Sequence, residues 1–313
     1  MTDTTSNDSL KTRCGFVSVI GLPNAGKSTL MNALVGTKIS IVSRKVQTTR
    51  CRVMGIALHN DAQIVMIDTP GIFKPRKTLE KAMVSAALSS FDETDFVIHI
   101  VDASVKNPAE NNRMILNALS DQGIDKSKVI LVLNKVDRLN KPKLLAAAQE
   151  MNDAFPYEAT FMVSALEEKG VPDLADYLAS ILPQGEWLYP EDQITDMPMR
   201  LVAAEITREK IYDLVHQEIP YSVFVETESW DVQHDGSAKI SQVIYVQKDS
   251  QKGIILGKGG SKIKMIGQAA RQDLEDITGG RVHLKTFVKV QENWSERAEN
   301  YEMFGLDIPR DGR

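Results

Sequence analysis

The sequence predicts two domains of different class: an α/β domain with a six-stranded, mostly parallel sheet covered by helices on both faces, then a small α+β domain. Three observations carry this. From Phe16 to about Leu182 short apolar runs alternate with stretches of helical spacing, the pattern of a parallel sheet with crossover helices. The segment LPQGEWLYPEDQITDMPMR at 182–200 then breaks the chain with three prolines and no period. After it the rhythm changes to helix, two strands, a glycine-rich helical pair and a strand.

In the first domain the strand runs are FVSVI (16–20), CRVMGIALHN (51–60), AQIVMID (62–68), FVIHIVDAS (96–104), VILVLNKVD (129–137) and ATFMVSA (159–165). Helical spacing appears in TLMNALVG, LEKAMVSAALSS and PKLLAAAQEMNDAF. The second and third runs are too close for a crossover helix, so they predict an antiparallel hairpin at one sheet edge. In the second domain the helix is MRLVAAEITREKIYDLVHQE, the first two strands YSVFVETESW and KISQVIYVQ, and the last VHLKTFVKV. The expected divisions are a disordered N-terminus at 1–15, domains at 16–182 and 200–292, a linker at 183–199 and a tail at 293–313 with room for one short helix.

Of 313 residues, 42% are hydrophobic and 25% charged, an ordinary globular balance. The net charge of −5 gives no global sign of nucleic-acid binding, so any such surface is local. Cys14 and Cys51 have no partner at metal-ligand spacing, which predicts no disulfide framework and fits a reducing, cytoplasmic compartment. There is no apolar h-region at the start and no run long enough to span a membrane.

The stretch GLPNAGKS at 21–28 is G-x-x-x-x-G-K-[ST], directly after a strand and opening a helix. Glycines let backbone N–H groups wrap phosphates, and the helix N-terminus adds positive potential. Gly21, Pro23, Asn24, Ala25, Gly26, Lys27, Ser28 and Thr29 are the candidate phosphate contacts. Lys27 is placed to reach the β- and γ-phosphates and the Ser28 hydroxyl to ligate Mg²⁺. Asp68, ending the third run, is placed to hold the same Mg²⁺ through water, and the Gly71 N–H to meet a γ-phosphate. Alone, D-x-x-G is common; downstream of a phosphate loop and at a strand end it gains weight.

The base is readable in NKVD, Asn134, Lys135 and Asp137. An Asp carboxylate accepts two N–H bonds from guanine N1 and N2, whereas adenine leaves it unpaired. Ser164–Ala165 is positioned to give a backbone N–H to guanine O6. All these segments sit at strand C-terminal ends, where open α/β sheets bind ligands. Together they predict a GTP-binding protein.

The motif order resembles the translation-factor-like branch of P-loop GTPases, and ISIVSRKVQTTRCR (39–52) resembles switch I of the Era family of ribosome-assembly GTPases. The resemblance implies a Thr completing the Mg²⁺ shell; Thr48 and Thr49 are both candidates, with Thr49 favoured because Arg50 follows it. It also implies a hydrophobic residue, Ile72, where other GTPases carry the water-orienting Gln. In several such proteins an Asn at the position of Asn24 helps hold a K⁺ that supplies transition-state charge stabilisation. The other reading of Asn24 is that it caps the loop through backbone bonds. Lys27, Asn24, Gly71 and Thr49 are therefore the candidate catalytic residues, with slow intrinsic turnover.

In the second domain G-x-x-G at Gly257, Lys258, Gly259 and Gly260 carries little by itself. Its flanks, Ile254, Ile255 and Leu256 before and Lys262, Ile263 and Lys264 after, make it similar to the KH loop that clamps a nucleic-acid backbone. Between Val246 and Val290 nine Lys and Arg face four Asp and Glu, a local +5, leaving −10 for the rest of the chain. A basic patch on an acidic protein is the footprint of phosphate binding; a solvated helix face is the plainer alternative. The element order resembles type II KH, and REKI (208–211) and PYSV (220–223) resemble the C-terminal half of the Era family.

That resemblance implies a GTPase switch, expected to be monomeric, binding GTP and GDP with Mg²⁺. It further implies binding to the 3′ end of small-subunit (16S) rRNA, a part in 30S subunit maturation, and peripheral contact with the inner membrane. The competing reading is a regulatory GTPase acting on a protein or membrane partner, with the C-terminal domain as an interaction module.

Overall fold

The structure is a computed structural model and describes residues 12–43, 53–73, 75, 78–89, 94–215 and 223–292. The first domain runs β1 (Arg13–Ile20), α1 (Lys27–Val35), β2 (Val53–His59), β3 (Ala62–Asp68), α2 (Thr78–Ser89) and β4 (Phe96–Asp102). It continues with α3 (Pro108–Asn111), α4 (Arg113–Asp121), β5 (Val129–Asn134), α5 (Lys141–Ala154), β6 (Ala159–Met162) and α6 (Val171–Ile181). The strand order is β2-β3-β1-β4-β5-β6. Only β2 runs antiparallel, turning into β3 through Asn60 at φ 51°. β3 and β5 are buried along their whole length, as expected of strands covered on both faces.

The second domain consists of α7 (Met199–Leu214), β7 (Phe224–Val232), β8 (Ala238–Val246), α8 (Asp249–Leu256), α9 (Ser261–Thr278) and β9 (Val282–Val290). β7 and β8 pair antiparallel with a bulge between Thr227 and Ser229, and β9 adds parallel to β8. Val225, Ile244, Ile255 and Ile266 form part of its core. A single apolar cluster joins the domains, from Met31 and Ile39 through Met197 to Val202, Ile206 and Leu274.

Two expected divisions differ. Residues 13–15, read as part of a disordered N-terminus at 1–15, belong to β1: Arg13, Cys14 and Gly15 pair with Ala62, Gln63 and Ile64, and the returning chain at Gln184 bridges Arg13; residues 1–11 lie outside the described residues. The segment read as a linker, 183–199, is irregular but fixed to the first domain. The fully buried Gln63 side chain accepts the Leu188 and Tyr189 N–H groups at 2.9 and 3.0 Å and donates to Tyr189 O at 2.8 Å. Trp187 and Tyr189 pack on Cys14, Met54, Ile56 and Val65. The apolar face of β2 and β3 explains the strap, since irregular chain covers it once its polar groups find partners. The expected tail at 293–313, most of switch I (44–52) and Pro220–Ser222 of the PYSV stretch lie outside the described residues.

Candidate nucleotide site and nucleic-acid interface

The loop between β1 and α1 opens a cleft of about 950 Å³ lined by Asn24, Lys27, Ser28, Gly71, Asn134, Asp137 and Ser164 among others. The loop's glycines are sterically required. A Cβ on Gly26, at φ 108°, would sit 2.1 Å from Asn134 Nδ2, and one on Gly21 2.5 Å from Ile100 O. Lys27 is buried and donates to Gly21 O and Leu22 O, each at 3.2 Å. Burial pulls its pKa down to about 8, against the opposing pull of Asp68.

The Asp68 carboxylate, fully buried at the end of β3, accepts Ser28 Oγ at 2.7 Å and Ser40 Oγ at 3.0 Å. Ser40 lies in the stretch read as switch I, a reading that assigns it no role. It is held in turn by Asn32, whose Oδ1 accepts the Ile39 and Ser40 N–H groups at 3.0 and 2.9 Å. Gly71 approaches closely: a Cβ there would lie 3.1 Å from Pro23 N and 3.2 Å from Lys27 Nζ. The next side chain, Ile72, is 2% exposed and packs with Ile20, Ala87 and Val97. Thr48, Thr49 and Arg50 lie outside the described residues.

Asn134 ties the walls together, donating to Ala25 O at 2.8 Å and accepting the Ala165 N–H at 3.0 Å. Ser164 donates its hydroxyl to Asp137 Oδ1 at 2.7 Å, which orients that carboxylate. Of the Ser164–Ala165 pair expected to give a backbone N–H to guanine O6, the Ala165 N–H is thus engaged with Asn134 and the Ser164 N–H with Lys169 O at 3.0 Å. Lys135, at φ 64°, reaches Asn24 O and Asp102 Oδ2, both at 2.6 Å. Burial alone would raise the Asp102 pKa, but hydrogen bonds from Lys135 and Ser104 hold it below the usual carboxylate range. Asp102 is legible in the sequence only as a carboxylate ending a strand; its tie to Lys135 comes from the fold.

In the second domain α8 ends at Gly257 (φ 70°), and Gly259 (φ 61°) and Gly260 (φ 78°) carry the chain into α9 in backbone conformations that favour glycine. A Cβ on Gly257 would lie 2.7 Å from Lys262 Cβ, whereas one on Gly259 meets nothing within 4 Å. Lys258, Gly259, Ile254 and Lys264 are exposed, while Leu256, Gly260, Lys262 and Ile263 are half-buried beside them. Met265, which no motif marks, is 56% exposed on the same helix. One of the nine basic residues, Lys289, pairs with Glu228 at 3.0 Å.

Fold and site together define a class: a P-loop domain with an oriented Asp carboxylate in its cleft, joined to a KH domain. Comparison with known proteins agrees. A family profile described as "50S ribosome-binding GTPase" matches residues 16–135 and one described as "KH domain" matches 218–295. The chain is 52% identical to GTPase Era of Brucella suis over 302 residues, covering 96% of each chain. It is also 52% identical to GTPase Era of Rhizobium meliloti over 315 residues, covering 99% of each. A crystal structure of an Aquifex aeolicus Era variant bound to GDP·AlF4⁻ matches with a TM-score of 0.87 at 38% identity, over 94% of this chain and 99% of that one. A structure of Era with MgGDPNP and nucleotides 1506–1542 of 16S ribosomal RNA matches with a TM-score of 0.86 at 38% identity and the same coverage. The chain belongs to the Era family and is a GTPase. Among the described residues, no helix is long and apolar enough to cross a membrane.

Proposed function

We propose that this GTPase is a switch that binds the 3′ end of 16S rRNA through its KH domain and assists maturation of the 30S subunit. The observation that carries the reading is the likeness, over 94% of the chain, to a protein seen with both MgGDPNP and that RNA segment. The geometry supports the following residue roles. Loop residues 21–29 wrap the phosphates with Lys27 at their centre, and Gly71 gives its N–H to the γ-phosphate. Asn134 and Lys135 brace the loop, and Asp137, oriented by Ser164, reads guanine. The exposed Lys258–Gly259 turn with Ile254, Leu256, Ile263 and the flanking lysines takes the RNA backbone.

Ser28 and Asp68 converge within hydrogen-bond distance, an oxygen-only donor set that suits Mg²⁺. With Thr49 they would hold it, and the ion neutralises phosphate charge when bound. Asn24 is the residue to hold K⁺ beside the phosphates. The functional units are the first domain, from Arg13 and with the strap that follows α6, and the second, from Met199; the protein acts as a monomer in the cytoplasm, with peripheral contact to the inner membrane. GTP with Mg²⁺ favours one arrangement of the two domains and thereby sets RNA affinity.

The experiment is GTP hydrolysis at matched ionic strength in K⁺ or Na⁺, with and without an RNA bearing the 3′ end of 16S rRNA. Stimulation by that RNA, with K⁺ preferred, is expected. No response to RNA from an active GTPase would leave a switch that acts on a protein or membrane partner. Equal RNA affinity with GTP analogue, GDP and no nucleotide would remove the coupling.

A further inference from the structure

Four charged side chains meet between the domains. Lys38 Nζ donates to Glu209 Oε2 and, at 2.7 Å, to Asp273 Oδ2. Lys210 Nζ lies 2.6 Å from Asp273 and 3.3 Å from Glu209. The Glu209 side chain is only 4% exposed, and its other oxygen accepts the Val42 N–H at 2.8 Å. One turn further along α7, Asp213 Oδ1 receives Ser43 Oγ at 3.5 Å and lines the nucleotide cleft. A carboxylate buried so deeply is stable only with partners of this kind.

The segment these groups hold, 38–43, includes the first residues of the stretch read as switch I, 39–52. Its opposite side is fastened to the nucleotide site, because Asn32 holds Ile39 and Ser40, and Ser40 donates to Asp68. The segment is therefore gripped from both domains at once. Asp273 lies on α9, whose N-terminus is the Gly257–Gly260 loop.

We propose that Glu209 is a positioning residue for GTP hydrolysis supplied by the RNA-binding domain, and that the Lys38–Asp273 contact is where RNA bound at the glycine loop bears on the GTPase site. This rests on the RNA-dependent switch proposed above. Lys38 bonds to α7 and α9 together, so a shift of one helix against the other bears on both of its bonds. The strain falls on residues 38–43 and through Ser40 on Asp68. Coupling of this kind is reciprocal for binding: nucleotide state alters RNA affinity by the factor that RNA alters nucleotide affinity.

The test uses the full chain with Lys38→Ala, Lys38→Arg and Glu209→Gln. GTP hydrolysis (kcat and KM) is measured with and without the 16S 3′-end RNA, and RNA affinity is measured with GDP and with a non-hydrolysable GTP analogue. Lys38→Ala is expected to cut both the RNA stimulation and the ratio of the two RNA affinities by about fivefold or more, the lower range of allosteric coupling. Lys38→Arg should restore most of both. Glu209→Gln should lower kcat more than it raises KM. Lys38 is 34% exposed, so its replacement tests the idea even if Glu209→Gln fails to fold. A responsive wild type with Lys38→Ala equally responsive overturns this inference alone. A wild type indifferent to RNA and to nucleotide state overturns the switch and this inference with it.

Discussion

Removing the charge of Lys27 should stabilise the nucleotide-free protein at neutral pH while abolishing nucleotide binding. Burial lowers the pKa of this lysine from 10.5 to about 8. A tenfold loss of proton affinity corresponds to about 1.4 kcal/mol, so holding the cation costs about 3 kcal/mol. The sign follows from proton counts. Between pH 8 and 10.5 the unfolded chain holds a proton that the folded chain lacks, so stability from this group rises with pH across that window. Below that window the full cost stands; above it the cost is gone. Lys27→Met keeps the apolar stem and loses the hydrogen bonds to Gly21 O and Leu22 O. Subtracting these leaves a gain of roughly 1–2 kcal/mol, or about 2–8 °C in the melting of a domain this size. Thermal scans without nucleotide at about pH 7, 8.5 and 10 would show the variant melting higher, with the gap closing as pH rises. Added GDP should raise the wild type and not the variant. A variant less stable than wild type at neutral pH, or a gap that does not shrink as the pH approaches that of free lysine, would refute the reasoning.

Asp137→Asn should weaken GTP by roughly 10²–10³-fold and favour xanthine nucleotides, since the carboxylate's two charge-assisted bonds are lost; competition binding with GTP, XTP and ATP checks it. Gly26→Ala forces a Cβ to 2.1 Å from Asn134 Nδ2 at a φ of 108°, so nucleotide binding should fall at least tenfold with a lower melting temperature, read by titration and calorimetry. Lys258→Asp with Gly259→Asp should abolish RNA binding and leave GTP affinity within about twofold, because both positions are exposed and a Cβ on Gly259 meets nothing within 4 Å; loss of both activities would mean the domain had unfolded. Gln63→Leu should destabilise the first domain by about 1–2 kcal/mol, because it takes from the Leu188 and Tyr189 N–H groups the acceptor they share and from Tyr189 O its donor, measurable by urea unfolding.

What the sequence disclosed depended on how local each signal was. The last strand, VHLKTFVKV, appears with the same limits as β9 because alternation is a property of neighbouring residues. The phosphate loop, Asp68, the Asn134–Asp137 stretch and the glycine loop were likewise visible in short strings. The strap was not. The residues of 183–199 show no period because their order comes from Gln63, more than a hundred positions away. Lys38 meets Glu209 and Asp273 across 171 and 235 residues, and no local pattern marks such a meeting. The engaged Ala165 N–H was hidden for the same reason.

Ile72 shows how a local reading and the fold combine. The sequence places an aliphatic residue after Gly71, which by itself says only that a polar group is missing. The structure adds where the side chain goes: into the core with Ile20, Ala87 and Val97, at 2% exposure. Gly71 lines the cleft while Ile72 turns away from it. Burying Ile72 contributes roughly 2 kcal/mol to the fold, and a Gln there would leave an amide among apolar neighbours at a comparable cost. Restoring the missing side chain would therefore damage the domain before it helped to orient a water. Acceleration has to come from groups that reach the cleft by other routes, and residues 38–43, gripped by the second domain, are such a route.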